Sequence, residues 1–150
     1  MNESKNNSES RQVLLVEDSP GDVRLMQEAF RIADSSIRLR VASDGVEAMS
    51  VLRDEQGRVP ASRPDLILLD LNLPRMDGRE FLARIKTDEI LKAIPTVILT
   101  TSDSDLDVVK SYQLHANCYL RKPVELDVFE NLVSSIIEFW LTKARLPQRE

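Results

Sequence analysis

Four short runs in this chain, 13–16 (VLLV), 66–69 (LILL), 96–100 (TVILT) and 118–120 (CYL), are almost wholly apolar or β-branched, and longer segments of helical period separate them. Runs of this kind fit strands covered on both faces, because a strand with one wet face would alternate apolar with polar residues. The segment 37–41 does alternate and reads as an edge strand. The helical segments have legible starts: Ser19 with Pro20 at the first helical position, Asp44 three residues before Glu47, and Asp77 three before Glu80. The order strand then helix recurs five times. That order makes an α/β, doubly wound chain: a parallel sheet with right-handed crossovers and helices on both faces.

At 150 residues, 42% of them hydrophobic, the chain fills one core and leaves no room for a second effector domain. Residues 1–10, rich in Asn, Ser and Glu, are expected to be a disordered tail, 11–143 the folded domain and 144–150 a second tail. Residues 54–63, with Gly57 and Pro60, read as an irregular crossover and not a domain linker. No apolar run approaches the roughly 20 residues of a membrane span, and the start lacks a signal-peptide stretch, so a cytoplasmic protein is expected. A net charge of -5 gives no general pull towards DNA or anionic membranes, and binding to neither is expected. The single Cys118 excludes an internal disulfide, and with the single His115 it is too sparse for a cysteine/histidine metal site. Cys118 is expected to be buried in its strand and His115 to sit at a helix end.

Four polar features fall at or just beyond the ends of four different strands: Glu17 with Asp18, Asp70, Thr100 and Lys122. In open parallel sheets the ligand crevice lies beyond the carboxyl ends of the strands, so these residues converge there. Crowded carboxylates raise one another's pKa unless a hard cation neutralises them, and all-oxygen ligation favours Mg²⁺. An acidic cluster around a divalent ion, beside an Asp able to act as a nucleophile, points to phosphoryl transfer. Lys122 and the Thr100 hydroxyl then supply a cation and a neutral donor for the transferred group's peripheral oxygens.

The segments Leu14-Leu15-Val16-Glu17-Asp18-Ser19-Pro20, Leu68-Leu69-Asp70-Leu71-Asn72-Leu73-Pro74-Arg75-Met76-Asp77-Gly78, Leu99-Thr100-Thr101-Ser102 and Lys122-Pro123 resemble, in order, the four signatures of response-regulator receiver domains. The resemblance runs from about Gln12 to Trp140. It implies a flavodoxin-like five-stranded sheet of order 2-1-3-4-5, with Asp70 accepting a phosphoryl group from a sensor histidine kinase. It implies Mg²⁺ bound by Asp18, Asp70 and the main-chain carbonyl of Asn72, with Glu17, where many members have Asp, acting through a water. Thr100 and Lys122 match the family's hydroxyl and lysine, Tyr119 the aromatic whose rotamer follows phosphorylation, and Lys122-Pro123 a peptide bond that is typically cis. Asn72 and Ser102 match positions that tune the lifetime of the phosphoryl group. Such a chain is a phosphoacceptor that transfers the group to itself and loses it slowly, not a turnover enzyme.

The segments Leu114-His115-Ala116-Asn117-Cys118-Tyr119-Leu120 and Ile137-Glu138-Phe139-Trp140-Leu141-Thr142 are similar to single-domain regulators partnered with bacterial phytochrome kinases. Gly78-Arg79-Glu80 and the long loop ending in Arg63-Pro64 agree with that subgroup. At about 100° per residue, the apolar residues of the last helix cover an arc of roughly 180°, more than docking on one sheet needs. Phe129, Ile136, Phe139 and Trp140 are therefore expected to offer a partner surface, simplest as a homodimer; packing of Phe139 and Trp140 under residues 141–147 is the alternative. Two other functions fit less well. A phosphorylation-independent dimeric module would have no use for the intact pocket, and an aspartate-nucleophile phosphatase would carry Asp, not Asn72, two residues after its nucleophile.

Overall fold

The computed structural model describes residues 10–60 and 62–147. Its five strands are β1 (Gln12–Val16), β2 (Arg38–Ala42), β3 (Leu66–Leu69), β4 (Thr96–Thr100) and β5 (Cys118–Arg121). The helices between and after them are α1 (Pro20–Ala33), α2 (Gly45–Leu52), α3 (Gly78–Lys86), α4 (Asp105–Gln113) and α5 (Leu126–Ile136). All strands pair in parallel in the order β2-β1-β3-β4-β5, the expected doubly wound arrangement.

Period-2 alternation along the central strands splits the core into two layers. Val13, Leu15, Leu66, Leu68, Val97 and Leu99 pack against Met26 and Phe30 of α1 and Phe129 and Val133 of α5. Leu14, Val16, Ile67, Leu69 and Ile98 face the other way, onto Ala48 and Leu52 of α2 and Phe81, Leu82 and Ile85 of α3. This two-sided cover is why β3 and β4 are apolar throughout. Strand β2 lies at the sheet edge as expected, shifted one residue from 37–41, because Ile37 is still in the turn that donates to Asp34 O.

Two of the three sequence-read helix starts work as expected in outline. Ser19 Oγ accepts from Asp22 N at 3.4 Å, and Asp44 Oδ1 from Glu47 N at 2.8 Å. The Glu47 carboxylate reaches one residue beyond its cap, to Ser43 N. At α3 the reciprocal arrangement fails: Asp77 Oδ2 accepts from Arg79 N, and Glu80 pairs with Arg84 one turn on. His115 ends α4 with a positive φ of 74°, and Cys118 is half-buried, not buried.

The chain's last helix departs most from expectation. After Ile136 it widens into a π-helical segment, Ile137–Lys143, closed by Ala144 N donating to Phe139 O. The wider turn breaks the 100° spacing behind the predicted arc. Phe129 and Ile136 are buried in the chain's own core, at 4% and 3% exposure, and are not partner surface. Phe139 remains exposed, Trp140 is half-buried edge-on to it with ring centroids 5.1 Å apart, and Leu146 of the expected tail packs on the same core layer. Residues 1–9 and 148–150, the rest of the expected tails, lie outside the described residues.

Candidate functional site

Backbone hydrogen bonds carry the sheet one residue past several strands and so set the site's residues in a row. Glu17 N donates to Ala42 O at 2.9 Å, Asp70 N to Val16 O at 3.0 Å and Lys122 N to Thr100 O at 2.7 Å. Each functional side chain thus leaves from a carboxyl end that the register already aligns. Beyond Asp70 the chain turns tightly enough that Gly78 N donates to Leu71 O. A Cβ on Gly78 would lie 2.3 Å from Asp70 O and 2.7 Å from Leu71 Cα, so only glycine lets α3 close on the loop that carries Asp70.

Glu17, Asp70 and Lys122 are buried and Asp18 is exposed, yet carboxylate oxygens of Glu17, Asp18 and Asp70 lie within 4.8 Å of one another. Lys122 Nζ lies 2.5 Å from Glu17 Oε1, 2.8 Å from Asp22 Oδ2 and 3.3 Å from Asp70 Oδ2. One ammonium shared among three carboxylates cannot neutralise them all. Burial pushes the Glu17 carboxyl up to about 7; the hydrogen bond from Lys122 opposes this and the charge of Asp70 adds to it. Burial alone would weaken the Lys122 ammonium, but the bonds to Asp22 and Glu17 and the charges around it outweigh that and hold it protonated. The surplus of negative charge on hard oxygen donors fits a divalent cation held by Glu17, Asp18 and Asp70.

Thr100 is fully buried at the carboxyl end of β4, and its Oγ1 has no partner among the described residues. A network runs beside it. Tyr119 Oη donates to Ser102 O at 2.9 Å, Ser102 Oγ donates to Asp107 Oδ2 at 2.7 Å, and Asp107 Oδ1 receives Arg79 Nη2 at 2.8 Å. Arg79 also binds Asp77, the cap of α3. The loop after Asp70 is therefore tied through α4 to the aromatic of β5. Bonds from Ser102 and Arg79 hold the Asp107 carboxyl below its ordinary value.

The model of the response regulator receiver domain matches residues 13–134. The chain belongs to this family. Response regulator Rcp1 of Synechocystis is 47% identical over 135 residues, covering 90% of this receiver and 92% of Rcp1. A structure of the phosphorylated cyanobacterial phytochrome response regulator RcpA is similar at 50% identity and a TM-score of 0.85, covering 91% of this chain and 98% of that one. The Mn²⁺-bound form of Rcp1 is similar at 46% identity and a TM-score of 0.81, covering 91% and 99%.

Within the receiver Glu17, Asp18, Asp70 and Lys122 come together, and Thr100 ends β4 beside the end of β5 that leads into Lys122. Asn72 is exposed beside them, its N–H 3.4 Å from Asp70 Oδ1. The Lys122–Pro123 peptide is trans, against the cis bond that the resemblance implied. Pro123 still follows the lysine directly and is half-buried. Two residues escaped the sequence reading. Asp22 looks from sequence like a helix first-turn acid, favourable near the N-terminus in its own right; its place one turn after Asp18 was the available signal. Asp107 looks like the same kind of residue on α4, and nothing in its local sequence marks the contact with Arg79.

Proposed function

We propose that this receiver accepts a phosphoryl group on Asp70 from a sensor histidine kinase of the phytochrome class, with Mg²⁺ as the metal. The observation that carries this reading is the Asp70 carboxylate, buried beside Lys122 and within 4.8 Å of the oxygens of Glu17 and Asp18. A bound Mg²⁺ would supply charge neutralisation for the phosphoryl oxygens. Asp18, Asp70 and the Asn72 carbonyl would hold it, with Glu17 acting through a water. Lys122 leaves its carboxylate partners in part to bind the transferred group, and the unpartnered Thr100 hydroxyl turns towards the same oxygens. As Thr100 moves, Tyr119 exchanges its bond to Ser102 O for an inward position, and this two-position element alters the face of α4 and β5. Output through protein contacts, including a homodimer over Phe139 and Trp140, completes the reading, with no role for DNA or membrane. No described helix is long and apolar enough to cross a membrane, in keeping with the proposed cytoplasmic location. Residence of the phosphoryl group, tuned by Asn72 and Ser102, makes the chain a switch and not a turnover enzyme.

The test is incubation with acetyl phosphate and Mg²⁺. The Asp70 carboxylate takes the phosphoryl group, acetate leaves, and the protein gains an acid-stable, base-labile phosphate mass. No gain in the native chain, or an equal gain in Asp70→Asn, overturns the assignment. Sedimentation as a monomer at high concentration overturns the homodimer separately.

A further inference from the structure

At the other end of the sheet from Asp70 lies a cavity of about 380 Å³, in the size range of cavities that hold small molecules. Its origin is topological. Helix α2 ends at Leu52 after eight residues, and its chain then runs into the long crossover, so the amino-terminal halves of β1 and β2 lack helical cover on that face. Pro60 and Pro64 of the crossover form one wall, Leu14 and Val51 form an apolar floor, and Arg38 and Arg40 of the edge strand line the opening.

The two arginines are the unusual feature. Residues two apart on a strand point to the same face, about 6.6 Å from each other along it, so the two cations repel. Neither guanidinium has a hydrogen-bonding or acidic partner among the described residues. The Asp54 carboxylate of the crossover is already taken by Arg58. Charges on an edge strand also hinder edge-to-edge pairing, but one arginine would serve that purpose, and it would not need a cavity beside it. Two free guanidinium forks over an apolar floor match an organic phosphate better than a carboxylate: a carboxylate's two oxygens are satisfied by one fork, whereas a phosphate has oxygens for both.

We propose that this cavity binds a small organic phosphate of mononucleotide size, its phosphate between Arg38 and Arg40 and its planar body against Val51, Pro60 and Pro64. The site is separate from the phosphoacceptor and rests on none of its chemistry.

The test is titration of ¹⁵N-labelled protein with adenosine monophosphate, and with inorganic phosphate as the arm that lacks the planar body. Saturable amide shifts are expected at Leu14, Arg38 to Arg40 and Val51, with weaker binding of inorganic phosphate. The double variant Arg38→Gln/Arg40→Gln should bind at least about tenfold more weakly, as loss of charge-assisted bonds implies. Both side chains are exposed, so the variant keeps its fold and its phosphorylation by acetyl phosphate. The proposal is overturned by an absence of shifts at about 10 mM ligand, far above the concentrations at which a specific site fills. It is equally overturned by shifts confined to the surroundings of Asp70 and Lys122, or by shifts unchanged in the double variant. None of these outcomes bears on phosphorylation of Asp70.

Discussion

The Lys122 ammonium stands 2.5 Å from Glu17 Oε1 but 3.3 Å from Asp70 Oδ2, so the cation that should meet an incoming phosphoryl group is held off-centre. Asp22 deepens the offset from the other side at 2.8 Å. Asp22 is not one of the three clustered carboxylates, yet it competes for the lysine and adds negative charge near an anionic donor.

Asp22→Asn should therefore speed phosphorylation by acetyl phosphate, by roughly three- to tenfold, the scale of one charge-assisted bond redistributed. A stopped-flow rate measured at saturating Mg²⁺ checks it. An unchanged or slower rate would mean that Asp22 serves only to place the lysine.

The Arg79–Asp107 pair joins the loop after Asp70 to the first turn of α4, and Asp107 in turn holds Ser102. Arg79→Gln should destabilise the protein by about 1 kcal/mol, as expected for a half-exposed charge-assisted pair. Its sharper signature is local. Amide exchange should accelerate in residues 102–108 and not in β1 or β3, because only the former segment loses an anchor.

Much of this fold is legible in sequence because two-sided burial leaves strands such as LILL with no polar residue to mislead the reading. The meeting of Glu17, Asp18, Asp70 and Lys122 is legible for a related reason: parallel strands bring all their carboxyl ends to one edge. Failures occurred where local pattern does not encode tertiary partners. Phe129 and Ile136 have the periodicity of spare apolar surface, but periodicity shows the width of a stripe and not that α1 and the sheet between them cover it. Phe139 and Trp140 were displaced by a π-helical widening for which the apolar period gave no warning. The Asp22–Lys122 bond joins residues 100 positions apart, and the one local sign of it is that Asp22 follows Asp18 by a helical turn.

Lys86 carries a pH dependence that can be isolated. Its ammonium is buried at the amino end of β4 and donates to Lys92 O, Ile94 O and Asn117 Oδ1 at 2.9–3.0 Å. Burial pushes it down to about 8 from an ordinary 10.5. Between those values the unfolded chain binds a proton that the folded chain has released, so stability should rise with pH. The slope is at most about 1.4 kcal/mol per pH unit. Between pH 8 and 9 the Cys118 thiol opposes this only in part: burial raises it in the folded chain, so the unfolded chain loses that proton first, while Lys122 titrates above the window. The urea midpoint should be higher at pH 9 than at pH 8 in the native chain, and that rise should be lost in Lys86→Met.

Thr100 offers the clearest separation of stability from function. A fully buried hydroxyl without a partner costs roughly 1–3 kcal/mol relative to an apolar group of the same shape. Thr100→Val keeps the branched shape, fills the same space and removes that cost. The unphosphorylated variant should be more stable by about 1 kcal/mol, which raises the melting temperature by about 3 °C for a domain of this size. The same change removes the only neutral side-chain donor proposed for the phosphoryl oxygens. Phosphorylation by acetyl phosphate should slow by about a hundredfold, the scale of losing one preorganised donor. The two effects must appear together. A variant that melts lower would mean that the hydroxyl is satisfied in the resting protein, and one that melts higher but is phosphorylated at the native rate would remove Thr100 from the transfer step. Thr100→Ser separates the hydroxyl from the methyl: it should melt below the native protein, because a buried methyl is lost, while keeping most of the phosphorylation rate.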